Sequence, residues 1–519
     1  MLQRISRTFP GLTSRDRRWV WLLVLGGLSL LIYWIGLTAP YNLFVIQPKL
    51  LPDIAKLTLH KPLAEAGFVV TMALQSGLYL LAWRLCRGLE PAQMRRMRVA
   101  LAVILGLLAV SMVLLYPVGD GDIFDYIMRA RITAVYGRNP FAFAPYIFSS
   151  DPFYHYVGWP GFTSSYGPLW ELLAALVSRL AGNGFLANLL GFKLLSLVFY
   201  AGSTALVALI LKQVAPQRVL QGVVLFAWNP LTLYDGLGNA HNDIVMIFFL
   251  LLGIYAVLRG HFSWGMLALL AGALVKFIPL ALLPLAWLAG LRVLPSGRRR
   301  LRFTLLTGLA CAALALAVFA PFLNSWHKLE LLPTLSSFYT TSLPAFLQAQ
   351  LQHRLGLKPS EKIVASIAYA ALAAFIAYQM RRIWKDTPAA LRSPGQAGPP
   401  ASAAAFLHAA TWTLLFYLIF TCDWFQPWYA LWPLALAALL PEGTLTWTAM
   451  LLAYVSLWKT PIFNFFLLPT HLPPTSVRET VLGPLTLGLV WLYLATRAVY
   501  KWRSRTAVDY ASKGTDSGD

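Results

Sequence analysis

Apolar runs of about 20 residues recur along this chain, and many end in a cluster of arginines. Trp19–Leu37, Ala66–Trp83 and Val99–Leu115 are the first three. A helix rising 1.5 Å per residue needs about 20 such residues to cross the roughly 30 Å of a bilayer's hydrocarbon. Inside that hydrocarbon every backbone polar group must find a partner within the protein, so only helices and closed barrels cross it. The runs are continuous rather than alternating, which excludes the barrel. The expected fold class is therefore an all-α polytopic membrane protein, with roughly 13 to 15 membrane helices, some too short to cross alone.

Composition agrees. The chain is 58% hydrophobic and only 12% charged, about half the charge of an ordinary soluble domain. Its net charge of +22 does not point to nucleic acid, because the cations gather at span ends. Arg15, Arg17 and Arg18, Arg84 to Arg98, Arg298 to Arg300, Arg381 to Lys385 and Lys501 to Arg505 all flank apolar runs. Positive-inside topology puts such clusters in the cytoplasm, against the anionic lipid of the cell membrane. Cys86, Cys311 and Cys422 lie in or beside apolar runs and form no disulfide framework or metal spacing. The first run is longer than a signal-peptide core and reads as an uncleaved span.

Counting crossings from the arginines puts Asp120 and Asp122, after the third span, on the extracytoplasmic face. Counting back from Arg298–Arg300 places Asn239-Ala240-His241-Asn242-Asp243 on that same face, with Gly265–Leu291 as two short helices broken near Lys276 and Pro279. One region does not close. Leu169–Leu180, Phe185–Leu211 and Val219–Tyr234 are three apolar stretches where an even number of crossings is required. Residues 1–98 read as N-terminal membrane helices. Residues 99–300 form the central module, with its large outer loop over 118–165. Residues 301–385 add membrane helices and an outer loop containing Trp326, His327 and Tyr339. A Pro/Gly/Ala linker over 386–402 would be cytoplasmic. Membrane helices over 403–500 follow, with a Pro-rich loop around His471, and then a disordered tail over 501–519.

The polar residues that carry chemistry begin with Gly119-Asp120-Gly121-Asp122. One carboxylate beside a hydroxyl can act as a general base, and a second can hold a divalent cation or orient an acceptor. Equally, one of them can cap the helix expected over Ile123–Tyr136, and Asp122 fits that role. That helix is one-sided and short, as for a helix lying flat on the membrane, and Gly137 ends it. Asp125 and Arg129 are spaced as a surface ion pair. Arg131 and Arg138 lack such a neighbour and suit a phosphate or lipid headgroups. Tyr166 stands just before the proline that opens the next helix. His241, Asn242 and Asp243 read either as a polar cap or as ligands of sugar hydroxyls. Lys276, inside an apolar run, either snorkels or binds phosphate. Trp424, Gln426, Trp428 and Tyr429 form an interfacial belt or a stacking surface for sugar rings. No nucleotide fingerprint appears, and no cofactor follows with certainty.

The ordered pieces GDIFDYIMRARITAVYGRNPF, YGPLW, NPLTLYDGLGNAHNDIVM, AGALVKFIPL and FQPWYALW resemble the bacterial polyprenol-phosphate-mannose-dependent α-(1→6)-mannosyltransferases, members of the GT-C membrane glycosyltransferases. The resemblance covers residues 99–440. It implies a GT-C fold and an extracytoplasmic active site. It also implies transfer of mannose, with inversion, from a polyprenyl-phosphate donor to a glycan or glycolipid acceptor. The family's loop aspartate falls on Asp122, with Asp120 as the alternative base. His241, Asn242 and Asp243 match its HND stretch, and Lys276 its hairpin lysine. Lys276 with Arg129, Arg131 or Arg138 would receive the leaving phosphate. Gly121 stands where relatives often carry arginine, and Asp120 is added, which leaves open the choice between the aspartates and the sugar. Another lipid-linked sugar (glucose or arabinose) is the nearest alternative. A lipid or sugar transporter is the rival class, but the chain has no matching halves.

Overall fold

The structure, a computed structural model, describes residues 17–46, 61–89, 91–323, 339–356, 360–386, 401–467 and 477–514. Most of the expected linker, Trp326, His327, the His471 loop and the last residues of the tail lie outside them. The helices, in chain order, are α1 (Arg18–Tyr33), α2 (Pro62–Leu85), α3 (Pro91–Leu114), α4 (Asp122–Ala134), α5 (Pro168–Ala181), α6 (Phe185–Val214), α7 (Val219–Ala227), α8 (Asp243–Leu258), α9 (Phe262–Ala273), α10 (Leu283–Val293), α11 (Gly297–Phe319), α12 (Leu343–Leu355), α13 (Ser360–Asp386), α14 (Ala401–Phe416), α15 (Leu431–Ala437), α16 (Thr444–Pro461) and α17 (Gly483–Gly514). No strand is formed among the described residues, only two isolated bridges. The protein is all-α and polytopic.

Nine of the described helices are long and apolar enough to cross a membrane: α1, α2, α3, α6, α11, α13, α14, α16 and α17 with their short extensions. A tenth crossing is possible by length if the π-turn Thr232–Gly238 and α8 count as one span, but they meet at 112°. This is fewer than the 13 to 15 expected, because several apolar runs fold as short helices. The parity problem resolves the same way. Helix α6 is a full 30-residue span. Helix α5 has 14 residues, about 21 Å, and falls short of the bilayer core. Pro168 fixes its first turn and Gly182, at φ +61°, stops it.

The basic clusters meet at one end. Arg18 donates to the Arg87 carbonyl, Arg87 pairs with Glu442, Arg218 reaches the Leu440 carbonyl, and Arg292 and Arg300 cover the Trp384 ring. Helices α3 and α16 run from that end to the other, where Leu114, Lys459 and the large loop lie. Helix α17 continues to Gly514, through part of the segment expected to be a disordered tail.

The loop between α3 and α5 is a folded cap. Helix α4 packs along α5 and is buried on every face from Ile123 to Ile132, so it does not lie flat on lipid as expected. Two ion pairs hold the loop around it. Arg131, read as lacking a neighbour, places its Nε 3.0 and 2.9 Å from the two carboxylate oxygens of Asp151. It also donates to the Gly182 carbonyl and covers the Phe153 ring. Arg129 and Asp125 do pair, at 3.1 Å, but in the interior rather than on the surface. Asp125 also accepts from the amides of Gly158 and Trp159, and Arg129 donates to the Phe162 carbonyl. Each pair ties the helix to residues 20 or more positions away, which helical spacing alone cannot reveal.

Arg131→Ala strands a buried carboxylate with its remaining partners. Removing one member of such a pair typically costs about 3–5 kcal/mol. Thermal unfolding in detergent is expected to show a large loss, whereas Arg138→Ala, at an exposed position, is expected to be neutral.

Candidate active site

Two polar clusters more than 100 residues apart converge where α3 ends. The chain leaves Leu115 and passes through Gly119, whose Cβ, if present, would sit 2.4 Å from Asn239 Nδ2. The absence of a side chain lets the amides of Val118 and Gly119 donate to Asn239 Oδ1 at 3.1 and 2.9 Å. Asn239 is fixed in turn by Asp235, 2.8 Å away. Ala240 then adopts φ +55°, a left-handed conformation costing roughly 1–2 kcal/mol for a residue with a Cβ. This strained turn ends the π-segment and swings α8 away. It delivers His241, Asn242 and Asp243 beside α4. Lys193, fully buried in α6, donates to the carbonyls of Met112 and Gly238 and ties both strands of this junction together.

Asp120 and Asp122 divide the roles considered for them. Asp120 closes the turn that leads into the helix: the N-cap is Gly121, and Asp120 Oδ1 accepts from the Asp122 amide at 2.9 Å. Asp122 is thereby free to turn its carboxylate into the cluster. Its Oδ2 accepts from the hydroxyls of Tyr126 and Tyr166, each at 3.2 Å, and lies 3.6 Å from His241 Nδ1. Burial would raise the Asp122 carboxyl. His241 close by, the Asp120 hydrogen bond and the Lys276 charge outweigh it, and hold Asp122 below the usual carboxylate range. Asp120 moves the other way, raised by burial and by the neighbouring Asp122 charge. The two carboxyls lie close enough to push each other's proton affinity in opposite directions.

Lys276 sits in the break between α9 and the single turn Ile278–Leu282. Its Nζ lies 3.0 and 2.9 Å from the two oxygens of Asp243 and 4.4 Å from the centre of the Tyr429 ring. Trp432 Nε1 completes the lysine's counterion, donating to Asp243 at 2.6 Å. Trp428 stacks on His241 with ring centres 3.6 Å apart. Gln426 accepts from Lys459, which also holds the Phe425 carbonyl. Side chains of His241 and Asp243 are fully buried, whereas Asp122 keeps 16% and Lys276 15% of its surface. Acid and cation therefore both reach open space. Both ring nitrogens of His241 and Nδ2 of Asn242 lack a hydrogen-bond partner, a costly state that a bound hydroxyl or water would relieve.

Of the residues singled out from sequence, Asp120, Asp122, Tyr166, His241, Asn242, Asp243, Lys276, Gln426, Trp428 and Tyr429 come together here. Arg129 and Arg131 are committed to the loop, Arg138 lies exposed over Phe143, and Trp424 meets Trp159 in the loop. Sequence reading missed Lys193, Lys459, Asn239 and Trp432. The two lysines carried a signal, since a cation inside an apolar run rarely lacks a role. Among the described residues no group of three or more His, Cys, Asp or Glu is placed to hold a metal ion, so no step is derived through a divalent cation.

Behind Tyr166 lies a buried acid. The Ser164 hydroxyl donates to Glu171 and accepts from the Tyr166 amide, while Gly167 donates to the Val275 carbonyl beside Lys276.

The comparisons with known proteins point one way. Residues 22–292 match the family described as alpha-(1->6)-mannopyranosyltransferase, N-terminal domain. Alpha-(1->6)-mannopyranosyltransferase B of Corynebacterium glutamicum is 23% identical over 265 residues, which are 48% of this chain and 42% of that protein. Alpha-(1->6)-mannopyranosyltransferase A of Mycobacterium tuberculosis is 25% identical over 374 residues, 67% of this chain and 66% of that protein. The chain thus spans less than two thirds of either relative. No solved structure matches.

Burial raises the Glu171 carboxyl from 4.5 to about 7, against the opposing Ser164 hydrogen bond and Arg129 charge. The unfolded chain gives up this proton near 4.5 and the folded chain near 7, so the native state holds more protons between those values. Stability is therefore expected to fall as pH rises from about 4.5 to 7, by about 2–3 kcal/mol at most on this group's account. Glu171→Gln is expected to remove that part of the slope, read as the difference between the two proteins' melting temperatures at pH 5 and pH 8.

Proposed function

The chain belongs to the alpha-(1->6)-mannopyranosyltransferase family, and on that premise we propose that it moves mannose from a polyprenyl-phosphate donor to a hydroxyl of a glycan or glycolipid. The reaction takes place on the extracytoplasmic side, with Asp122 as general base. The observation that carries this reading is the partly open carboxylate of Asp122, held by two tyrosine hydroxyls in the cluster where Lys276 is also partly open.

In the proposed step the acceptor hydroxyl gives its proton to Asp122 as its oxygen bonds to the anomeric carbon. The bond from that carbon to the phosphate oxygen breaks on the opposite face, and polyprenyl phosphate departs with the electron pair. A single displacement inverts the centre, so a β-linked donor gives an α-linkage. The leaving group is already an anion of a fairly strong acid and needs a cation rather than a proton. Lys276 is that cation. Arg129 and Arg131 are occupied by Asp125 and Asp151, which removes them from the role the sequence offered them. Trp428 and Tyr429 offer ring faces for the sugar. A carboxylate with a depressed pKa is a weak base in the ground state, but it is fully ionised at neutral pH and close enough to receive a proton as the new bond forms. Support for the side of the membrane comes from the basic clusters at the far end of the bundle, which the positive-inside rule assigns to the cytoplasm.

Asp122→Asn is expected to lower transfer from polyprenyl-phosphate mannose by about 10³-fold while donor binding to the purified protein persists; wild-type turnover in that variant would end the assignment. Asp120→Asn, which keeps a side-chain oxygen for the turn, is expected to retain much of the activity. Lys276→Met is expected to weaken donor binding as well as turnover.

A further inference from the structure

A second chemically distinct place lies at the opposite end of the bundle. Helices α13, α14, α16 and α17 leave between them a cavity of about 730 Å³. Its cations are Arg382 at the end of α13 and Lys501 on α17, with His408 on α14 in the same lining. Trp412 and Tyr378 form part of its walls. The acid in its lining is Glu442, and Arg87 already pairs with it. A second cavity of about 570 Å³ adjoins it, sharing Glu442 and Gly443 and adding Arg497 with the rings of Trp447 and Tyr493.

The helix directions fix the location. From His408 the chain of α14 leads on to Cys422 and the site, and from Thr444 helix α16 leads up to Lys459, about 22 Å away along the helix. The cavity is therefore at the basic end, away from Asp122. Cations at the mouth and aromatic walls running into the bundle match an amphiphile with an anionic head. Basic pockets between membrane helices on the cytoplasmic side commonly take anionic phospholipid heads. The volume is that of an ordinary ligand pocket, and rings favour the level where head meets chain.

We propose that this cavity is a binding site for an anionic glycerophospholipid, its phosphodiester between Arg382 and Lys501 and its chains along Trp412 and Tyr378. It is not a donor site, and it does not depend on the reaction proposed for Asp122.

The test uses the full chain, purified in detergent and presented with phosphatidylglycerol or phosphatidylcholine, with bound lipid counted by native mass spectrometry. Wild type is expected to retain phosphatidylglycerol preferentially. Arg382→Ala with Lys501→Ala is expected to weaken that binding about thirtyfold, at roughly one surface-lysine contribution per cation. Arg382→Lys with Lys501→Arg is expected to preserve it. A second variant avoids any loss of charge. Gly443 has extended backbone, φ −178°, and an added Cβ would meet only the Pro441 carbonyl at 3.9 Å, so Gly443→Phe is expected to fill the space and exclude the lipid. Equal retention of the two lipids would overturn the proposal. So would the same loss from Arg298→Ala with Arg299→Ala, exposed cations outside the cavity. Displacement of the lipid by millimolar inorganic phosphate would assign the site to a free anion instead, and would equally sink it.

Discussion

The structure depends on keeping one carboxylate ionised inside a bundle made to face lipid. An isolated charge there is prohibitive, and a buried one persists only when opposite charge and hydrogen bonds replace the water it loses. Asp122 has both: two tyrosine hydroxyls at 3.2 Å and His241 at 3.6 Å, with Lys276 beyond. Much of the local chain conformation serves that arrangement. Gly119 lets the loop approach Asn239, the strained Ala240 turns His241 inward, and Asp120 holds the turn into α4 by accepting from the Asp122 amide.

Rigidity of the loop follows from the same physics applied to different residues. A 50-residue excursion at a membrane surface would be a poor support for a catalytic group. Here it is fastened by Asp125–Arg129 and Arg131–Asp151, each with further hydrogen bonds to the loop or its neighbours. Such pairs contribute less to net stability than their Coulomb energy implies, because desolvation offsets most of it. Their effect is to exclude alternative packings, since any other arrangement leaves a buried charge alone.

The sequence showed much of this and withheld the rest for identifiable reasons. Apolar run length exposed the spans, and the break at Lys276 and Pro279 was legible because a lysine and a proline cannot both continue a membrane helix. The shared location of the Asp122 and His241 clusters followed from charge asymmetry alone. Helix α5 was also within reach, since Pro168 and Gly182 bracket 14 residues. What could not be read were partners distant in sequence. Nothing local distinguishes an arginine bound for a phosphate from one bound for Asp151, and Arg131 was misplaced for that reason. Trp432 resembled any other interfacial tryptophan, because its contact with Asp243 spans 189 positions. The overcount of spans arose because an apolar run reports burial, and a short helix such as α15 is buried without crossing alone.

That division of charge bears on how a phosphate can be received at all. A naked lysine at this depth would shed its proton or draw in water. Pairing it with Asp243, and covering it with the faces of Tyr429 and Trp432, replaces the water it loses while leaving 15% of it open. An arriving phosphate then shares an existing ion pair rather than creating one. Asp243 is anchored separately by Trp432 and does not have to move. The same logic explains why the carboxylate that must receive a proton is not the one bound to the lysine. Asp122 is held by two tyrosine hydroxyls with His241 beside it, so no ammonium group sits in direct contact with the oxygen that receives the proton.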